Sequence, residues 1–131
     1  MEANQKKILI VDDEITIRTL LLNVIGSRYE VTAKENGLEA LKWIQEGNIP
    51  DLIICDIKMP VMDGYELVKN IRTSGLFGHI PMLMLSGEED SNTRINFIKL
   101  HVRNFIVKPF NPQEVLTLTR LVLDDLEFEA K

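Results

Sequence analysis

Short apolar runs alternate with segments of helical period along this chain. The runs are Ile8-Leu9-Ile10-Val11, a weaker stretch from Tyr29 to Ala33, Leu52-Ile53-Ile54-Cys55, Ile80 to Leu85, and Phe105-Ile106-Val107. Apolarity that is continuous rather than alternating predicts strands covered on both faces, as in a parallel sheet. Between the runs lie the helices. Residues 14–25 place Ile17, Leu20, Leu21 and Val24 on one face and stop at Gly26. Residues 37–46 carry Leu38, Leu41 and Ile44, with Asn36 and Glu39 spaced as a capping box and Gly47 at the end. Residues 64–74 follow Asp63, with Glu66 three positions on, and pack through Leu67, Val68 and Ile71. Residues 90–100 carry Ile95 and Ile98. The last helix opens with Asn111 as cap, Pro112 in the first turn and Glu114 reaching back, then continues through Val115, Leu118 and Val122.

Strand–helix repeated five times predicts right-handed crossovers and a parallel sheet with helices on both faces, an α/β fold. The 131 residues fit one domain, read here as 1–131 with a core of about 6–126 and an acidic tail over 124–131. A chain of this size buries about two-thirds of its surface, enough for a core without disulfides or a structural metal. Cys55 is the single cysteine, so no internal disulfide forms, and it reads as a buried strand residue. No stretch has the length of a membrane span, and the apolar run after Lys7 is too short for a signal-peptide core, so the expected location is the cytoplasm. The net charge of −5 argues against direct nucleic-acid binding and favours a cation ligand or a basic partner surface. Asp124, Asp125, Glu127 and Glu129 stand where a helix dipole disfavours them, and a fraying, solvated tail is expected there.

In an open α/β sheet, ligands bind beyond the carboxyl ends of the strands, where strand order reverses. The first strand here ends in Asp12-Asp13-Glu14, the third in Asp56, the fourth in Ser86-Gly87 and the fifth in Lys108-Pro109-Phe110. One sheet edge thus collects three aspartates, a hydroxyl and a lysine. Carboxylates that close together repel and call for a cation. Mg²⁺ suits them, since it takes one or two carboxylates together with phosphate oxygens. With Lys108 it suits a phosphoryl group, and the remaining carboxylate can serve as nucleophile. Taken singly, Asp12 and Asp13 would be helix caps as readily as ligands, and Asp56 a turn residue.

The run Ile8–Glu14, the stretch Asp51–Gly64 (Asp-Leu-Ile-Ile-Cys-Asp-Ile-Lys-Met-Pro-Val-Met-Asp-Gly), Ser86 and Lys108-Pro109-Phe110 together closely resemble the receiver domain of two-component response regulators. The resemblance implies a flavodoxin-like (βα)5 domain with strand order 2-1-3-4-5. It implies that Asp56 is the phosphoacceptor, taking its phosphoryl group from the phosphohistidine of a sensor histidine kinase or phosphotransfer protein. Asp13 and Asp56 would bind Mg²⁺ directly (Mn²⁺ would substitute), with the backbone carbonyl of Lys58 as a third ligand and Asp12 acting through water. Lys108 would pair with phosphoryl oxygens, the Ser86 hydroxyl would move to the phosphate, and Phe105 would be the aromatic switch residue. The fourth helix, fifth strand and fifth helix would then present the state to a downstream effector, to an output domain outside this chain, or to a second copy in a homodimer. On this reading the chain is a bacterial signalling domain rather than an enzyme with an external product. It assists its own phosphorylation and dephosphorylation.

Two positions depart from the family pattern: Gly87 stands where Ala is usual, and His101-Val102 where Gly-Ala is common. A histidine at 101 must take an unusual backbone conformation or shift the turn. The Lys108–Pro109 bond is expected to be cis. Asp63 reads as a cap, Pro60 and Gly64 as loop-shaping, and Trp43 and Phe97 as packing residues. Three other readings carry less. A flavin carrier of this fold would need a phosphate loop where Asp12-Asp13-Glu14 stands. A phosphatase of the haloacid-dehalogenase type would need an aspartate at position 58, which is Lys. An adaptor that is never phosphorylated would have no use for the full set of site residues.

Overall fold

Alternate residues of each central strand point to opposite faces of the sheet, and both faces are buried. In a computed structural model that describes residues 5–87 and 91–130, with side chains described as far as Leu123, five parallel strands stand in the order β2-β1-β3-β4-β5. They are β1 (Lys7–Val11), β2 (Glu30–Lys34), β3 (Leu52–Asp56), β4 (Met82–Ser86) and β5 (Asn104–Val107). The helices are α1 (Ile15–Ile25), α2 (Gly37–Gln45), α3 (Gly64–Arg72), α4 (Ser91–Lys99) and α5 (Pro112–Ala130). Leu9, Val11, Ile53, Cys55, Met82 and Met84 face one core with Ile44, Leu67, Ile71 and Phe97 of α2–α4. Ile8, Ile10, Ile54, Leu83, Leu85 and Ile106 face the other with Leu21, Ile25 and Val115 of α1 and α5. This division explains why the central strands read as unbroken apolar runs.

The expected strand order and element order are those found. Boundaries moved where hydrogen bonding decided them. The fourth run begins at Ile80, but β4 starts at Met82, because Pro81 has no N–H to give; its carbonyl still accepts from Ile53 N–H at 3.0 Å. The second run ends at Ala33, whereas β2 extends through Lys34, which pairs with Val11. The predicted caps formed: Asn36 accepts from Glu39 N–H and Asp63 from Glu66 N–H, each at 2.9 Å. Asn111 accepts instead from Gln113 N–H at 2.9 Å. Gly47 ends α2 at φ 108, a left-handed turn for which glycine carries no Cβ penalty.

Some core expectations need correction. Leu20 is 37% exposed, because α1 rotates its burial stripe onto Leu21 and Ile25. Ile95 and Ile98 are each 47% exposed; Phe97, between them in sequence, is the residue that α4 buries. The backbone of α5 is helical to Ala130, and the side chains of the expected fraying, solvated tail, from Asp124 on, lie outside the described residues. The expected start of the fourth helix at residue 90 also lies outside them. Among the described residues no helix is long and apolar enough to cross a membrane.

His101 takes the first of its two expected options, with φ 62 in the left-handed region. Its N–H bonds Ile98 O at 2.9 Å and Val102 N–H bonds Phe97 O at 3.0 Å, which closes α4 and drops Val102 into the core. A side chain in that conformation costs about 1 kcal/mol, less the chain entropy glycine adds on unfolding. His101→Gly should therefore raise the melting temperature by roughly 1–3 °C in calorimetry; a lower melting temperature would show that the imidazole contributes more than the turn strain removes.

Candidate functional site

The site forms where β1, β3, β4 and β5 end on one edge of the sheet. Asp56 is the last residue of β3 and Ser86 the last of β4, and the two strands pair in register beside each other. Asp12 follows β1, and its N–H is held by Lys34 O at 3.1 Å. Lys108 follows β5, with its N–H on Ser86 O at 2.6 Å, and the Lys108–Pro109 bond is cis as expected. Gly64 lets α3 start against this edge: a Cβ there would collide with the Asp56 carbonyl and the Ile57 backbone. In the loop before it, Val61 sits at φ 71, an outlier for a β-branched residue.

Lys108 draws the carboxylates together. Its Nζ lies 3.1 Å from Asp56 Oδ2 and 3.2 Å from Asp12 Oδ2, with Glu14 Oε1 at 3.8 Å. The other oxygen of Asp12 accepts the Glu14 N–H at 2.9 Å. Asp12 is therefore not the cap of α1, whose N-cap residue is Glu14; its Oδ1 tightens the turn into the helix and its Oδ2 faces Lys108. Asp12, Asp13, Glu14 and Asp56 bring carboxylate oxygens within 4.8 Å of one another. Asp13 and Glu14 are exposed, and Asp12 and Asp56 are buried at 0% and 6%. Hard oxygen donors without imidazole or thiolate fit Mg²⁺, which leaves room for water and a phosphate oxygen.

Burial raises the carboxyl groups of both Asp12 and Asp56 above their ordinary value of 3.8. Lys108 pulls each of them down, and each is pushed up by its carboxylate neighbours, without reversing the direction set by burial. Burial works against the Lys108 ammonium, but Asp56 and Asp12 outweigh it, so Lys108 is raised and stays charged. Burial and the adjacent carboxylates push the Cys55 thiol well up, which fits an inert packing residue.

Ser86 is buried, and its hydroxyl has no hydrogen-bond partner among the described residues. Lys58 is exposed in the loop after β3. Phe105 is half-buried on β5; its ring meets Phe97 edge-on at 5.9 Å, Phe97 meets Tyr65 at 5.5 Å, and the Arg94 guanidinium lies 5.2 Å over Phe105. Two participants were not singled out from the sequence. Glu14 stands in the carboxylate cluster, a placement its adjacency to Asp13 allowed. Arg18 donates to the Asp12 carbonyl at 2.6 Å; its only sequence signal is that α1 brings a residue one turn in back towards the strand end.

The model of the response regulator receiver domain matches residues 8–120. The chain belongs to the response regulator receiver family. Among curated proteins, this receiver domain is 40% identical over 94% of its length to the probable transcriptional regulator ycf27 of Cyanophora paradoxa, and 36% identical over 89% to the chemotaxis protein CheY1 of Helicobacter pylori. It spans 50% of the first of these and 96% of the second. It spans 51% of the transcriptional regulatory protein PhoP of Bacillus subtilis, to which it is 38% identical over 95% of its own length. The solved structure of the chemotaxis response regulator CheY4 of Vibrio cholerae superposes with a TM-score of 0.83 at 35% identity, over 91% of this receiver and 99% of that chain. The receiver domain is therefore a signalling domain of two-component systems, and the flavin-carrier and ester-phosphatase readings are set aside.

Because Asp12 and Asp56 are raised in the fold, they ionise more readily when unfolded. Their contribution to stability is greatest below 3.8 and is lost as pH rises through their raised folded values. At neutral pH without a divalent ion, Asp56→Asn should melt above the wild type by roughly 3 °C, equivalent to about 1 kcal/mol. Mg²⁺ should raise the wild type more than the variant, and melting curves that ignore Mg²⁺ would count against a cation site.

Proposed function

We propose that this receiver domain accepts a phosphoryl group on Asp56, with Mg²⁺ held by Asp13, Asp56 and the Lys58 carbonyl, and with Asp12 acting through water. The observation that carries this reading is the Lys108 ammonium within 3.2 Å of both buried carboxylates, beside an exposed pair of acids that leaves the pocket open to solvent. In the transfer, an Asp56 oxygen bonds to phosphorus as the phosphorus–nitrogen bond of a phosphohistidine breaks and the imidazole leaves. The ion supplies charge neutralisation, so that carboxylate and phosphoryl oxygens approach one another. Lys108 takes the charge of the phosphoryl oxygens that replace its present carboxylate partners.

The unpartnered Ser86 hydroxyl supports its role as the group that turns to the new phosphate, since a buried hydroxyl without a partner gains a bond there. The half-buried ring of Phe105, between Phe97 and Arg94 and not sealed in the core, supports its role as the aromatic switch residue. The partners that fit are a histidine kinase or phosphotransfer protein upstream, and an effector, an output domain or a second copy that reads α4, β5 and α5. The reaction is a self-modification without an external product, in the cytoplasm of a bacterial-type cell. The full extent 1–131 acts as one receiver unit.

Incubation with Mg²⁺ and a small phosphodonor such as acetyl phosphate should add one phosphoryl group, read by intact mass. Asp56→Asn should abolish the addition, and Lys108→Met should slow it by roughly two orders of magnitude, the scale seen when a charge-stabilising donor is removed. Equal labelling of Asp56→Asn would overturn the assignment.

A further inference from the structure

Asp13 is the member of the cluster whose direction is least explained by its own contacts. Asp12 and Asp56 are buried and gripped by Lys108. Asp13 is exposed, and no hydrogen bond or ion pair holds its carboxylate among the described residues. Its orientation therefore follows from the backbone that carries it.

That backbone is held by Arg18. Its Nη1 donates to the Asp12 carbonyl at 2.6 Å, and Arg18, half-buried as a residue, lines the gap between α1 and the end of β2 with Ala33, Lys34 and Glu35. The Asp12 carbonyl belongs to the planar peptide that joins Asp12 to Asp13, and a peptide plane has no soft torsion of its own. Fixing its oxygen, with the Asp12 N–H already on Lys34 O and Asp12 Oδ1 on the Glu14 N–H, leaves the Asp12–Asp13 turn little freedom. We propose that Arg18 is a positioning residue for the metal-binding carboxylates: its bond to the Asp12 carbonyl sets the peptide from which Asp13 is presented to the cation. This rests on the reading of the cluster as a divalent-cation site.

Charge and position predict opposite signs. As a cation near an acidic cluster, Arg18 repels a metal ion, so removing it for its charge alone would tighten binding. As a positioning residue, its removal lets Asp13 wander and loosens binding. Groups that orient metal ligands through a hydrogen bond change affinity by roughly tenfold or more when removed.

The test is Mn²⁺ titration of the metal-free full chain, read by the electron paramagnetic resonance signal of free Mn²⁺, at fixed pH and ionic strength. Arg18→Met keeps the apolar stem and Arg18→Gln keeps a polar surface; each should bind Mn²⁺ roughly tenfold more weakly than the wild type. Arg18→Lys, which keeps a cationic donor, should recover part of the loss. Thermal melting identifies the folded variants, and either neutral variant suffices if the other does not fold. Binding that is unchanged or tighter in a folded neutral variant would overturn the role of Arg18 while leaving the cation site standing. A wild-type chain that bound no Mn²⁺ would instead overturn the cation site itself, and this inference with it.

Discussion

One ammonium between two buried carboxylates governs this molecule. Lys108 reaches Asp56 at 3.1 Å and Asp12 at 3.2 Å from the far end of the fold's last strand. Neither carboxylate is comfortable: burial raises both, and the neighbouring acids add to it. Two strands thus end on carboxylates that one ammonium compensates only in part, an excess of negative charge of the kind that a divalent cation offsets. Groups held in this way lower stability and are found where chemistry needs them.

The remainder of the fold keeps those charges in place. Two apolar cores, one on each face of the sheet, fix the strands that carry Asp12, Asp56, Ser86 and Lys108. Backbone bonds lock the strand ends to one another: Lys108 N–H to Ser86 O, Ile57 N–H to Leu85 O, and Asp12 N–H to Lys34 O. Gly64 allows α3 to begin directly against the Asp56 carbonyl. The aromatic series Tyr65, Phe97 and Phe105 runs from α3 through α4 to β5, so packing near the site continues to the surface on which Arg94 covers Phe105.

Much of this was legible in the amino-acid order because strong local signals agreed with the global fold. Unbroken apolar runs at β1, β3 and β4 announce strands buried on both faces, and Asn36 and Asp63 mark the starts of α2 and α3. Asp12, Asp56 and Lys108 could be gathered on paper because all three stand just where an apolar run stops. What periodicity could not supply was rotation: Leu20, Ile95 and Ile98 match a helical stripe but lie towards solvent, since Leu21, Ile25 and Phe97 fill the available space. Nor could it supply a contact made by a side chain to a backbone carbonyl, as Arg18 makes to Asp12. Such a contact depends on the angle at which α1 leaves β1, which no pattern of apolar positions encodes.

The central claim is that the acidic cluster and Lys108 together hold a phosphoryl group on residue 56. A crystal structure grown with Mg²⁺ and beryllofluoride, a mimic of the bound phosphoryl group, tests it most directly. The account predicts beryllium on an Asp56 oxygen, the metal ion on Asp13 and Asp56, and Lys108 Nζ turned from the carboxylates to a fluoride. Beryllofluoride bound elsewhere, or Lys108 pointing into solvent with Asp56 unmodified, would contradict it.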